Sequence, residues 1–103
     1  MGAEVFYDEG YGNSAREVFN VLVEDACYEY GHGGYSGTIA EKPSFTMIPF
    51  DVDGDVTAEE YAYTLINRGD ERIDDKWGPA GCMELKSDQE GLRKFCFFGW
   101  ASS

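Results

Sequence analysis

Seven consecutive residues near the end of the chain, Phe95-Cys96-Phe97-Phe98-Gly99-Trp100-Ala101, carry no charge. Successive side chains of a strand point to opposite faces, so Phe95 and Phe97 go one way while Cys96, Phe98 and Trp100 go the other. A strand that is apolar on both faces belongs in the middle of a sheet with cover on each side. The rest of the chain has to supply neighbouring strands and covering layers.

Helical cover is signalled in two places. Ser14-Ala15-Arg16-Glu17 and Thr57-Ala58-Glu59-Glu60 each set a hydroxyl residue three positions before a glutamate, so that hydroxyl and carboxylate take up free amides at a helix start. After the first, Ala15, Val18, Phe19, Leu22, Ala26 and Tyr30 recur at spacings of three and four, a buried stripe that leaves Glu17 and Glu24 on the other side. Gly31 suits the left-handed position that ends a helix. After the second, Tyr61, Ala62, Leu65 and Ile66 form the stripe, and Gly69 ends it. Residues 3–7 and 44–50 are rich in strand formers, with Pro49 demoting the end of the second to an edge or an exit. Residues 39–42 leave a glycine-rich loop as a further strand, and residues 82–86 and 93–101 make a hairpin. Residues 8–13, with Gly10 and Gly12, read as a turn. The expectation is a single α+β domain over residues 1–103. It has a small mixed or antiparallel sheet of about five strands and two helices, in the order β-α-β-β-α-β-β.

The charge is large and unevenly placed. Thirteen of the 20 acids and two of the 8 bases stand in residues 1–60, so that segment carries −11 of the net −12. A field of one sign attracts partners of the other and repels nucleic acid, and no basic patch offers itself to phosphates. Direct DNA or RNA binding and binding to anionic membranes are therefore disfavoured; the plainer reading of the acidity is solubility. No apolar run approaches the roughly 18 residues of a membrane span, and the first residues lack the basic start and apolar stretch of a signal peptide. The chain is expected in the cytoplasm. Cys27, Cys82 and Cys96 are too far apart for a structural zinc site and read as free thiols, with a cross-strand Cys82–Cys96 pair as the alternative. No metal or cofactor is expected.

Three motifs bear on chemistry. Asp51, Asp53 and Asp55 alternate like the start of a calcium loop, but Val56 and Ala62 stand where its glycine and bidentate glutamate belong, so an acidic turn before a helix is the better reading. Gly33, Gly34, Ser36, Gly37, Thr38 and Lys42 could cradle a phosphate, with Lys42 or Arg72 as the cation, although the spacing is not that of a P-loop. A glycine-permitted reversal of the chain is the alternative. His32, the only histidine, stands in the same loop with no nucleophile or carboxylate assignable to it, so catalysis is a minority reading. Among the aromatics, Tyr11, Tyr28, Tyr35 and Tyr63 fall on loops or outward helical sides and are expected to be partly exposed, where they would suit an interface.

The runs Tyr28-Glu29-Tyr30-Gly31-His32-Gly33-Gly34-Tyr35-Ser36-Gly37-Thr38-Ile39-Ala40-Glu41-Lys42, Lys76-Trp77-Gly78-Pro79-Ala80-Gly81-Cys82 and Phe97-Phe98-Gly99-Trp100-Ala101-Ser102 resemble small uncharacterised acidic proteins of bacteriophages. The resemblance carries no catalytic residues. It implies a context in which small acidic proteins inhibit host defences, as anti-CRISPR and anti-restriction proteins do by mimicking the charge of DNA. The leading expectation is a non-enzymatic inhibitor of a basic, nucleic-acid-handling host protein, binding through Glu17, Glu24, Tyr28, Tyr35, Asp51, Asp53, Asp55 and Glu59. The alternative is a binder of a nucleotide signal in the loop of His32, Gly33, Gly34, Ser36, Thr38 and Lys42; a small enzyme and an assembly protein are further classes.

Overall fold

Strand pairing starts from the apolar run. In the computed structural model, which describes residues 2–31 and 34–103, that run lies within β4 (Arg93–Ser102). It is flanked on one side by β1 (Ala3–Gly12) and on the other by β3 (Ala80–Leu85), both antiparallel to it. The short β2 (Phe45–Met47) pairs parallel to β3 and completes a four-stranded mixed sheet in the order β1-β4-β3-β2. It follows that β1, β2 and β3 run parallel and that β4 alone runs against them.

This order decides where the helices go. The chain crosses the whole sheet from β1 to β2 through α1 (Ala15–Tyr30), then returns one position from β2 to β3 through α2 (Ala58–Asn67). Crossovers between parallel strands share one hand, so two crossovers in opposite directions must pass over opposite faces. The burial agrees. Val18 and Phe19 of α1 pack with Phe6, Cys82, Phe95 and Phe97 on one face, whereas Leu65 and Ile66 of α2 pack with Ile73, Met83, Cys96 and Phe98 on the other. The central, doubly covered strand expected from Phe95–Ala101 is therefore β4.

Both helix starts form as their caps direct. Ser14 Oγ accepts from the Glu17 amide at 3.2 Å, and Thr57 Oγ1 accepts from the Glu60 amide at 3.2 Å. Gly31 closes α1 at φ 87°, with its N–H donating to the Cys27 carbonyl.

Three expectations need correction. Residues 39–42 are not a strand: Ile39–Glu41 is a turn of 3-10 helix, capped by Thr38 Oγ1 accepting from the Ala40 amide, so the sheet has four strands. The segment 44–50 contributes only three ladder residues, Phe45–Met47, and its last bond to β3 runs from the Ile48 amide to the Cys82 carbonyl at 2.8 Å, just before Pro49. Residues 8–12 are not a turn but the second half of β1, in register with β4 up to Gly12 opposite Arg93. Gly10 and Gly12 are there for close approach: a Cβ on either would lie 2.9 or 2.8 Å from a methyl of Val18, so their absence lets α1 settle on the strand.

Cys82 and Cys96 belong to cores on opposite faces of the sheet, which removes the alternative of a cross-strand disulfide; all three cysteines are free. Cys82 and Cys96 are fully buried and Cys27 only partly. A native-state titration with a thiol reagent should modify Cys27 rapidly and the other two only on unfolding; rapid modification of all three would refute this packing.

Candidate partner-binding surface

The disposition of the bases sets the electrostatics. Asp70 receives Arg72 at 2.8 Å and Arg68 at 3.2 Å, and the hydrogen bonds from Arg72 above all hold its carboxyl well below the usual carboxylate range. Arg93 forks onto Glu84 with bonds of 2.8 and 2.9 Å, and Lys94 reaches Glu9 at 3.3 Å. Lys42 is buried, with its ammonium donating to the carbonyls of Asp75, Lys76 and Gly78. Three of these four pairings engage acids of the last 43 residues or none at all. Of the thirteen acids in residues 1–60, only Glu9 forms an ion pair among the described residues. Eleven of the thirteen are exposed, Asp8 and Glu41 only partly, so most of the excess negative charge of the first half faces solvent.

Helical geometry sorts these acids. Glu17, Glu24 and Tyr28 lie with Val21 along the outward side of α1, all four exposed, Tyr28 at 93%. Asp51, Asp53 and Asp55 occupy the turn before α2, where Asp51 Oδ1 accepts from the Asp53 amide, and Glu59 stands in the first turn of that helix. Because α1 and α2 cover opposite faces of the sheet, the expected partner-binding acids form two groups rather than one patch. Tyr35 belongs to neither: it sits in the loop after α1 at φ 60°, exposed, with its ring edge-on to the exposed Trp77 at 6.0 Å. Tyr11 and Tyr63 are exposed as expected, Tyr63 on α2 and Tyr11 on β1 rather than in a turn.

Three further acids were not singled out from the sequence. Asp8, on the α1 side of β1, shares a groove of about 360 Å³ with Asp25, Glu29 and Tyr30 of α1. Burial pushes the Asp8 carboxyl above its ordinary value. Had β1 been extended past Tyr7, strand alternation from the buried Phe6 would have placed Asp8 on this face. Asp25 and Glu29, one helical turn apart, border the buried stripe of Leu22 and Ala26. On the other face of β1, Tyr7 donates to Glu9 at 2.6 Å and stacks on Tyr63 with centroids 6.4 Å apart.

The side chains suited to a phosphate are engaged elsewhere. Ser36 Oγ donates to Glu41 Oε2 at 2.6 Å and lies 2.8 Å from Thr38 Oγ1, and Thr38 caps the 3-10 turn. Burial raises the Glu41 carboxyl, but the hydrogen bonds from the Ser36 hydroxyl and from the Ser36 and Tyr35 amides together outweigh it and leave the carboxyl below its ordinary value. Glu4 reaches the same loop, its carboxylate 2.6 Å from where a Cβ on Gly37 would lie. An incoming phosphate would thus meet two carboxylates, with Lys42 turned into the fold and Arg72 held by Asp70. Gly34 and Gly37, at φ 81° and 71°, supply the chain reversal. His32 and Gly33 lie outside the described residues. No protein-family model, curated protein or solved structure matches the chain.

Proposed function

We propose that this protein acts by binding a basic protein partner, as a non-enzymatic inhibitor of a host defence or nucleic-acid-handling protein. The observation that carries the reading is the segregation of charge: seven of the eight bases, all but Lys86, are held in contacts of their own, and eleven of the thirteen acids of residues 1–60 are exposed, with one ion pair among the thirteen in the described residues. A surface of that kind is attractive to side chains that otherwise bind phosphates, and competition for those side chains is the mechanism. The carboxylates of Glu17 and Glu24 on α1, or of Asp51, Asp53, Asp55 and Glu59 before and within α2, take the place of phosphates. The fold fixes them on a frame, because α1 is anchored to the sheet through the buried Val18 and Phe19 and α2 through the buried Ala62, Leu65 and Ile66. The nucleotide-binding alternative is less well supported, since the loop at residues 34–41 presents carboxylates where a cation is needed.

The test is inhibition of purified DNA-cleaving defence nucleases, with nuclease–DNA affinity measured at several salt concentrations. An active inhibitor should lose most of its effect between about 50 and 300 mM salt, because exposed charges are screened over about 8 Å at physiological ionic strength. Exchanging Glu17 and Glu24 for Lys should weaken inhibition by about tenfold if α1 is the engaged group, and exchanging Asp53 and Asp55 for Lys should do so if the α2 group is. Inhibition that is indifferent to salt and to both exchanges would overturn the reading.

A further inference from the structure

The sheet ends at β1 in an unfinished edge. One side of this ten-residue strand is bonded along its whole length to β4, and among the described residues no segment pairs with the other side. Roughly half of its N–H and C=O groups therefore point outward without a protein partner, as at any antiparallel edge. An exposed edge of this length is a template for another strand.

The side chains along it select what can be added. Glu4 and Asp8 lie on β1 itself, and Asp25 and Glu29 flank it across the groove from α1; none of the four is in an ion pair. A second copy of the chain pairing edge to edge would bring these carboxylates against their own counterparts, and like charges opposite each other destabilise a ladder. An extended segment with Lys or Arg at alternate positions would instead direct every second side chain towards Asp8, Asp25 and Glu29 while its backbone bonds to the edge.

We infer that the outer edge of β1 is a docking strand for an extended, Lys/Arg-bearing segment of a partner protein. This rests on the reading that the partner is basic, and it adds the mode of attachment: main-chain pairing supplies affinity and the Asp8, Asp25 and Glu29 groove supplies choice. The same carboxylates keep the edge from joining copies of this chain.

The test uses the intact protein and three synthetic ten-residue peptides: one alternating Lys with Val, the same peptide N-methylated at alternate residues, and one alternating Glu with Val. Binding is followed by titration calorimetry and by hydrogen exchange of the β1 amides. The Lys–Val peptide should bind and slow exchange along β1. N-methylation, which removes donors but no charge, should weaken binding at least tenfold, and the Glu–Val peptide should not bind. Exchange of Asp8 and Asp25 for Asn should weaken the Lys–Val peptide by about fivefold and leave the melting temperature near that of the parent. Equal binding of the methylated peptide, or slowed exchange confined to other segments, would overturn edge pairing and leave the basic-partner reading standing. Equal binding of the Glu–Val peptide would overturn the selection by charge. No binding of any peptide, beside nuclease inhibition that persists, would overturn the docking strand alone.

Discussion

Replacing Phe97 by alanine should lower the unfolding free energy by about 3–5 kcal/mol, measured by urea denaturation with the slope unchanged. The ring is fully buried on the α1 side of β4, with ring centroids 5.5 Å from Phe19 and 5.4 Å from Phe45, and those two are 5.1 Å from each other. The three rings come from α1, β2 and β4, so the space left by one is bordered by separate elements, each fixed by its own backbone bonds. Such a site collapses poorly, which puts the cost toward the upper part of the range for large-to-small changes. Leucine at the same position keeps most of the volume and should cost less than about 1.5 kcal/mol. Since domains of this size are stable by roughly 5–15 kcal/mol, the alanine variant alone can populate the unfolded state measurably. A cost below about 1 kcal/mol would mean that the α1 face is not packed around Phe97.

The same residue shows what the sequence makes legible. Alternation from Phe95 to Ala101 is a property of neighbours in the chain, and it correctly located the central strand and the need for two covering layers. The capping boxes at Ser14 and Thr57 are local too, and both helices begin where they stand. What escaped was mostly non-local. Gly10 and Gly12 look like turn residues in isolation, because only the approach of Val18 makes them strand residues. Ile39–Glu41 carries a strand-like apolar residue, yet Thr38 caps it into a helical turn and the core takes Ile39 from there. The candidate surface divides in the same way. Exposure of Glu17, Glu24 and Tyr28 followed from the stripe of α1, but the separation of these residues from Asp51, Asp53 and Asp55 depends on strand order, which no periodicity reveals. Lys42 is the sharpest case: beside a glycine-rich loop it reads as a phosphate ligand, and its actual partners lie 33 to 36 positions further along the chain.

Exchange of Lys42 for methionine should therefore cost stability rather than a ligand, by about 2–4 kcal/mol, since it leaves three carbonyls without the donor they share. Nζ lies 3.2, 3.4 and 3.1 Å from the carbonyl oxygens of Asp75, Lys76 and Gly78, tying the segment before β3 to the end of the 3-10 turn. Its pH dependence distinguishes this role from simple packing. Burial, partly opposed by the Asp75 charge, pulls the Lys42 ammonium down from 10.5 to about 8. Below pH 8 the lysine is charged in both states and the cost of holding that charge inside is fully present. Between pH 8 and about 10.5 the unfolded chain binds the proton and the folded one releases it, so stability from this residue rises with pH. Burial pushes the Cys82 and Cys96 thiols up to about 12 and 11, and stability from them falls as pH rises above 9, but they do so in both proteins alike and cancel in the difference. The gap in unfolding free energy between the parent and Lys42→Met should hold steady up to pH 8 and widen from there toward pH 10.5. A gap that stays flat across that window would place the ammonium in water, where it could serve a phosphate after all; a widening gap fixes Lys42 as part of the frame on which the acidic surface is mounted.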